Sequence, residues 1–178
     1  MSIICNLRSA TDAQLKALLA DPEQLEAFLE DEEDFGDAAG SSAHAFLELD
    51  LDEAWHGIHF LLTGTAVEGQ APLDFLERGG REVGDIDTGG DLGYGPARRF
   101  DSAQVRAIAQ ALAPIGAEQL RARFDPERMR MLEIYPDIWD GQQGEKDPLG
   151  YVLSYYAELK AFLARVAALD HGMVLVLS

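Results

Sequence analysis

The run of residues best equipped for chemistry is Leu49 to Gly64, LDLDEAWHGIHFLLTG. On a helix, Asp52 lies one turn from His56, and His56 one turn from His59. Glu53 and His56 also form an E-x-x-H pair. A carboxylate-bridged metal centre needs two such pairs and further carboxylates on facing helices, and only one pair is present. The zinc-protease pattern H-E-x-x-H is absent. The spacing instead predicts that Trp55, Ile58, His59 and Leu62 form one buried stripe, with the His59 ring hydrogen-bonded inside. Contact between His59 and a ligand is the alternative.

Other chemical motifs are incomplete. Asp85, Asp87, Gly90 and Asp91 match a calcium loop at positions one, three, six and seven. Gly89 stands at position five, however, and Pro96 at position twelve, where the bidentate Glu belongs. An acidic, glycine-rich turn is expected there. Gly93-Tyr-Gly95-Pro-Ala-Arg98-Arg99 is not a dinucleotide loop, because Arg98 replaces the third glycine. Arg98 and Arg99 form a basic pair expected to make salt bridges within the fold, with anion binding as the lesser use. Cys5 lies in an apolar stretch where a thiol is inert, and no G-x-S-x-G occurs, so nucleophilic catalysis has no support. Tyr135, Trp139, Tyr151, Tyr155 and Tyr156 cluster late in the chain and are expected mainly in the core. If a ligand pocket exists, its candidates are His59, Thr63, Tyr94, Arg98, Tyr135 and Trp139.

The elements that must position these groups follow from caps and periodicity. Ser2–Leu7 reads as a strand. Thr11 with Gln14 is a capping box opening a helix with Leu15, Leu18 and Leu19 on one face. A second helix starts at Asp21-Pro22, carries Leu25, Phe28 and Leu29, and ends badly: Glu30, Asp31, Glu32, Glu33 and Asp34 add negative charge where the helix dipole is already negative. That end should fray, bend away or find a cation. Residues 36–44 read as a loop. A helix is predicted over Asp52–Leu62, stopped at Thr63-Gly64, and a short one over Pro72–Glu77. Residues 79–95 hold seven glycines and form an irregular connection with a short strand near Glu82-Val83; a further strand is expected over 96–100. Asp101 with Gln104 caps the next helix, and Glu118–Phe124 and Pro126–Met131 are short helices. Leu132–Trp139 reads as extended. Asp147-Pro148 starts the longest helix, with Leu149, Val152, Tyr156, Leu159, Leu163 and Val166 along one face. Met173–Leu177 is unbroken apolar sequence, the mark of a strand covered on both faces. The expected fold is α+β, a single mostly helical domain over 1–178 with a small mixed sheet that contains both terminal strands.

Composition narrows the function. The chain has 178 residues, 47% of them hydrophobic, which suits one domain with an ordinary core. Fourteen Lys and Arg against thirty-two Asp and Glu give a net charge of −18, which argues against binding nucleic acid or an anionic membrane. One cysteine excludes an internal disulfide. No signal peptide and no membrane-length apolar run is visible, so a cytoplasmic location is expected. The charge is uneven. Residues 1–53 hold fourteen acids and two bases, Arg8 and Lys16. Nine acids and no base fall between Asp21 and Asp37.

Trp55-x-x-x-His59-Phe-x-Leu62-Thr63-Gly64, Leu92-Gly-Tyr-Gly-Pro-Ala-Arg98 and Glu133-Ile-Tyr135-Pro136 together resemble the YfbM-like family of bacterial proteins, over nearly the whole chain and in the same order. The resemblance implies an α+β fold and a bacterial cytoplasmic setting. It supplies no reaction, no cofactor and no catalytic residue. His56 and the acidic block lie outside the shared pattern.

Two functions are expected from these residues. The first is a non-catalytic acidic module that engages a basic protein partner, as an immunity protein engages a toxin, with Glu30, Asp31, Glu32, Glu33 and Asp34 as contacts. The second is a small-molecule site, enzymatic or not, around His59, Tyr94 and Arg98, with Arg98 as the anion clamp. Neither calls for a cofactor or a metal, and the oligomeric state is left open.

Overall fold

The computed structural model describes residues 2–30, 46–84, 94–141 and 147–178. Five strands form one sheet: β1 (Cys5–Ala10), β2 (Glu48–Asp50), β3 (Arg81–Val83), β4 (Ala97–Phe100) and β5 (Gly172–Leu177). Their order is β2-β1-β5-β4-β3. The two terminal strands pair from Cys5↔Leu177 to Ala10↔Gly172, as the apolar ends of the chain imply. Every pairing is antiparallel, which corrects the expectation of a mixed sheet. The reason is the path of the chain. The connection from β1 to β2, like that from β4 to β5, leaves and re-enters at the same end of the sheet, so no crossover sets two strands parallel.

Among the described residues there are seven α-helices. They are α1 (Asp12–Ala20), α2 (Leu25–Glu30), α3 (Trp55–Thr63), α4 (Ser102–Leu112), α5 (Ala117–Arg123), α6 (Pro126–Met131) and α7 (Pro148–Ala168). Thr11 with Gln14 and Asp101 with Gln104 form the two anticipated capping boxes. Gly64 closes α3 in the left-handed conformation, φ 78°. Strand β5 separates two cores. Met173 and Leu175 face a large one built with α3, α4, α5 and α7; Val174 and Val176 face a smaller one with Leu15, Leu18, Leu25 and Phe28. The α1–α2 layer therefore covers one face of the sheet and the remaining helices the other.

Four segments depart from the sequence reading. Strand β1 begins at Cys5 and runs on through Arg8 and Ser9, beyond the apolar stretch, because both polar side chains find partners inside. Glu48–Asp50, just before the predicted helix and with no strand expected there, is a charged three-residue edge strand. Pro72–Glu77 forms successive turns rather than a helix. The Arg98 guanidinium takes the Phe75, Leu76 and Gly79 carbonyls at 3.0, 2.7 and 3.2 Å, so a tertiary contact outweighs local helical preference. Leu132–Trp139 is also a string of turns, with the Tyr135 N–H donating to a histidine ring and the Trp139 indole to the Ile134 carbonyl.

Strand β5 enters the sheet through a tight gap at Gly172. A Cβ there would lie 2.3 Å from the Phe100 carbonyl oxygen and 3.0 Å from the Asp101 Cα, both backbone atoms that cannot step aside. Gly172→Ala is expected to lower the unfolding free energy by about 2 kcal/mol, in the range for overpacking. The midpoint of a urea denaturation curve checks this.

Candidate functional site

Helix α3 carries the residues that drew attention first, and its hydrophobic surroundings decide their use. Trp55, Ile58, His59 and Leu62 are all buried, as the spacing predicts. His56 Nδ1 accepts the Tyr135 N–H at 2.9 Å, which leaves the proton on Nε2, donated to the Ala66 carbonyl at 2.7 Å. His59 Nε2 donates to the Glu68 carbonyl at 3.2 Å. Its Nδ1 is buried and has no hydrogen-bond partner among the described residues. Both rings thus clip the 64–69 segment onto α3. Burial lowers the pKa of both; that of His59 falls to about 4, with the neighbouring His56 adding to the effect. Thr63 Oγ1 donates to the His59 carbonyl at 2.9 Å and touches Thr65, so it belongs to the same clip.

The other pocket candidates are placed as follows. Arg98 is close enough to His59 to influence its ionisation, yet three of its donors are held by the Phe75–Gly79 turns. Glu77 lies 3.8 Å from His56 Nε2, and burial raises its pKa. Tyr135 is on the His56 side, with its hydroxyl donating to Glu53 at 2.5 Å and accepting the Ile3 N–H. Trp139 is buried against Gly57, where a Cβ would lie 2.6 Å from its ring, two residues from His59 and so on another side of α3. Tyr94 is exposed. The structure therefore groups His59, Thr63 and Arg98 around the 64–79 segment, and sets Tyr135 and Trp139 against other parts of α3. Sequence reading passed over Glu77 and the structural use of His56; an acid just before a predicted helix stop and a histidine beside a stripe give no distinctive pattern.

The acidic end of the molecule has its own organisation. Asp21, Glu23, Glu26 and Glu30 are all exposed on the α1–α2 layer. Among the described residues, none of the four lies within 4 Å of a cationic group. Asp31, Glu32, Glu33 and Asp34, which continue the block, lie outside the described residues. The cation demanded by the negative end of α2 is Arg8. Its side chain rises from β1, is 4% exposed, and donates to the Leu29 carbonyl at 2.7 Å. Phe28 and Phe46 flank it at 5.1 and 3.5 Å from their ring centroids, and Glu48 pairs with it at 3.4 Å. Arg8 was legible only as one of two bases in an acidic third; that it points inward was not.

Cys5 is buried and its thiol pKa is pushed up to about 12 by burial, so it is no nucleophile. The Tyr156 hydroxyl donates to the Ile115 carbonyl, and those of Tyr151 and Tyr155 to Asp52, as aromatic residues at the edge of a core do. The Asp85–Asp91 motif lies outside the described residues, as does the 36–44 loop. Among the described residues no group of His, Cys, Asp and Glu is arranged to hold a metal ion. None of the described helices is long and apolar enough to cross a membrane.

These features belong to a family defined by its fold rather than by a known chemistry. The chain is a member of the family described as Domain of unknown function (DUF1877), whose model matches residues 1–176. The fold is shared with YfbM from Escherichia coli, a protein of unknown function. That crystal structure superposes with a TM-score of 0.70 over 98% of this chain and 99% of that one, at 18% identity. The YfbM-like assignment made from the motifs is thereby confirmed. No curated protein matches the chain.

Neutral, buried His59 has a consequence for stability. An unfolded histidine titrates near 6.5, and His59 in the fold near 4. Its contribution is therefore complete above about pH 6.5 and is lost as the pH falls toward 4, where the unfolded chain binds the extra proton. His59→Gln keeps a donor for the Glu68 carbonyl and removes the titration. The stability advantage of the wild type over this variant should shrink by about 3 kcal/mol between those pH values. Denaturation curves at matched pH measure it; a constant difference would contradict the assignment.

Proposed function

We propose that this chain is a non-catalytic, cytoplasmic binding module whose acidic α1–α2 face engages a basic protein partner, in the manner of an immunity protein that neutralises a toxin. The observation that carries the reading is the set of four exposed carboxylates on that layer, Asp21, Glu23, Glu26 and Glu30, without a cationic neighbour among the described residues. They run directly into Asp31–Asp34 in the sequence. A like-charged face held on a rigid layer attracts a cationic surface, raises its association rate and repels acidic competitors. Arg8 supports the reading because it anchors the layer from beneath, at the Leu29 carbonyl.

The non-catalytic part rests on the fate of the reactive groups. Both α3 histidines engage backbone carbonyls, and the thiol is buried.

The test compares the wild-type chain with the variant Glu30→Lys, Asp31→Lys, Glu32→Lys, Glu33→Lys as bait in extracts of the source cell. The expected result is a basic protein captured by the wild type, released by raising the salt to about 0.5 M, and at least tenfold depleted with the variant. Equal capture by both would remove the acidic block from the function.

A further inference from the structure

Away from the acidic layer, two hollows meet at Gly79 and Gly80. The first is a slot of about 270 Å³ between the 71–80 turns and α4, with Pro72, Phe75, Phe100, Ala107 and Ile108 among its walls. The second is an open basin of about 750 Å³ bordered by Arg78, Arg81 and Arg98 and by Glu77 and Glu82. Arg78, Gly79 and Gly80 line both. The partition is bare backbone by necessity. Gly80 has φ 70°, and a Cβ there would lie 2.7 Å from the Arg99 carbonyl oxygen and 2.9 Å from the Phe100 ring.

The basin is an anomaly on a chain of net charge −18. Its charged groups differ in availability. Arg98 is committed to three carbonyls, and Glu77 is 3.8 Å from His56. Glu82 sits opposite Arg98 in the β3–β4 ladder. Arg78 is exposed and makes one long bond, Nε to the Val67 carbonyl at 3.4 Å. Arg81 is exposed and has no side-chain hydrogen bond or ion pair among the described residues. One available guanidinium fork, Arg78, therefore borders both hollows, and a second, Arg81, borders the basin; Asp74 and Gln104 are the other polar residues of the mainly apolar slot. A fork of this kind matches a carboxylate in two parallel hydrogen bonds. The adjoining slot rewards an apolar tail, each buried methylene strengthening binding by up to roughly fourfold. Concave apolar walls with a few convergent polar groups are the usual form of a small-molecule site.

We propose that slot and basin together bind a small amphipathic carboxylate, with its tail against Phe75, Phe100 and Ile108 and its head at Arg78 and Arg81. This site is independent of the acidic face, so either can fail without the other.

The probe is octanoate, titrated into the full chain labelled with ¹⁵N and followed by amide shifts. Saturable shifts are expected at Gly79, Gly80, Phe100 and Ala107. Acetate, which offers only the head, and 1-octanol, which offers only the tail, should each bind at least tenfold more weakly. Arg78→Gln with Arg81→Gln changes only exposed side chains and should weaken octanoate at least tenfold. Ala107→Trp, from the exposed side of α4, fills the slot and should make octanoate no better than acetate. The proposal is overturned if octanoate shifts do not saturate or map elsewhere, if octanoate binds no more tightly than acetate, or if the double Arg variant binds as the wild type does.

Discussion

Strand β5 sets the terms on which this protein folds. Five consecutive apolar residues, Met173 to Leu177, cannot place one face in water without exposing valine or leucine, so both faces must be covered. The long helix α7 and its neighbours cover Met173 and Leu175. Val174 and Val176 need a separate cover, and the short amphipathic α1–α2 pair is what the chain provides. Helices of nine and six residues are marginal on their own. Their stability comes from this burial and from Arg8, whose buried guanidinium holds the carbonyl end of α2 to the sheet. An acidic layer is thus fixed in place by apolar contacts and one internal cation.

The use of the bases explains why so much negative charge remains outside. Arg8, Arg98, Arg123 and Arg128 each donate to backbone carbonyls at the ends of helices or in turns. Arg123 and Arg128 together serve the last turn of α3, at the Leu61, Leu62 and Gly64 carbonyls. Carbonyls there have no partner within the helix, and a cation also suits the dipole. Apart from the pair of Arg8 with Glu48, bases used in this way are spent on backbone carbonyls rather than on surface carboxylates. The net charge is therefore a consequence of composition and of placement together.

The irregular 64–80 segment illustrates the same economy of polar groups. It has few backbone partners of its own, and its carbonyls are met by His56, His59, Arg98 and Arg128 from the surrounding elements and by Thr65 from within it. A long connection becomes ordered because side chains substitute for a ladder. The same wrapping presents Gly79 and Gly80 between α4 and the end of the sheet, where the slot and the basin arise.

Local chemistry fixed much of this in advance. The capping boxes at Thr11 and Asp101, the Gly64 stop, the Asp147-Pro148 start of α7 and the two-sided burial of β5 are all readable from neighbouring residues, because each depends on interactions within a few positions. The YfbM-like motifs were equally readable. Tertiary contacts decided the rest. The turns at 72–77 follow from Arg98, more than twenty residues away; β2 exists because β1 offers it an edge; Arg8 and Ser9 lie in a strand because α2 and Leu47 supply their partners. Which candidate site residues come together was likewise invisible, since Trp139 packs against Gly57, two residues along α3 from His59 and on another side of that helix. A side chain's use depends on what the fold brings opposite it, and that is information no short stretch of sequence contains.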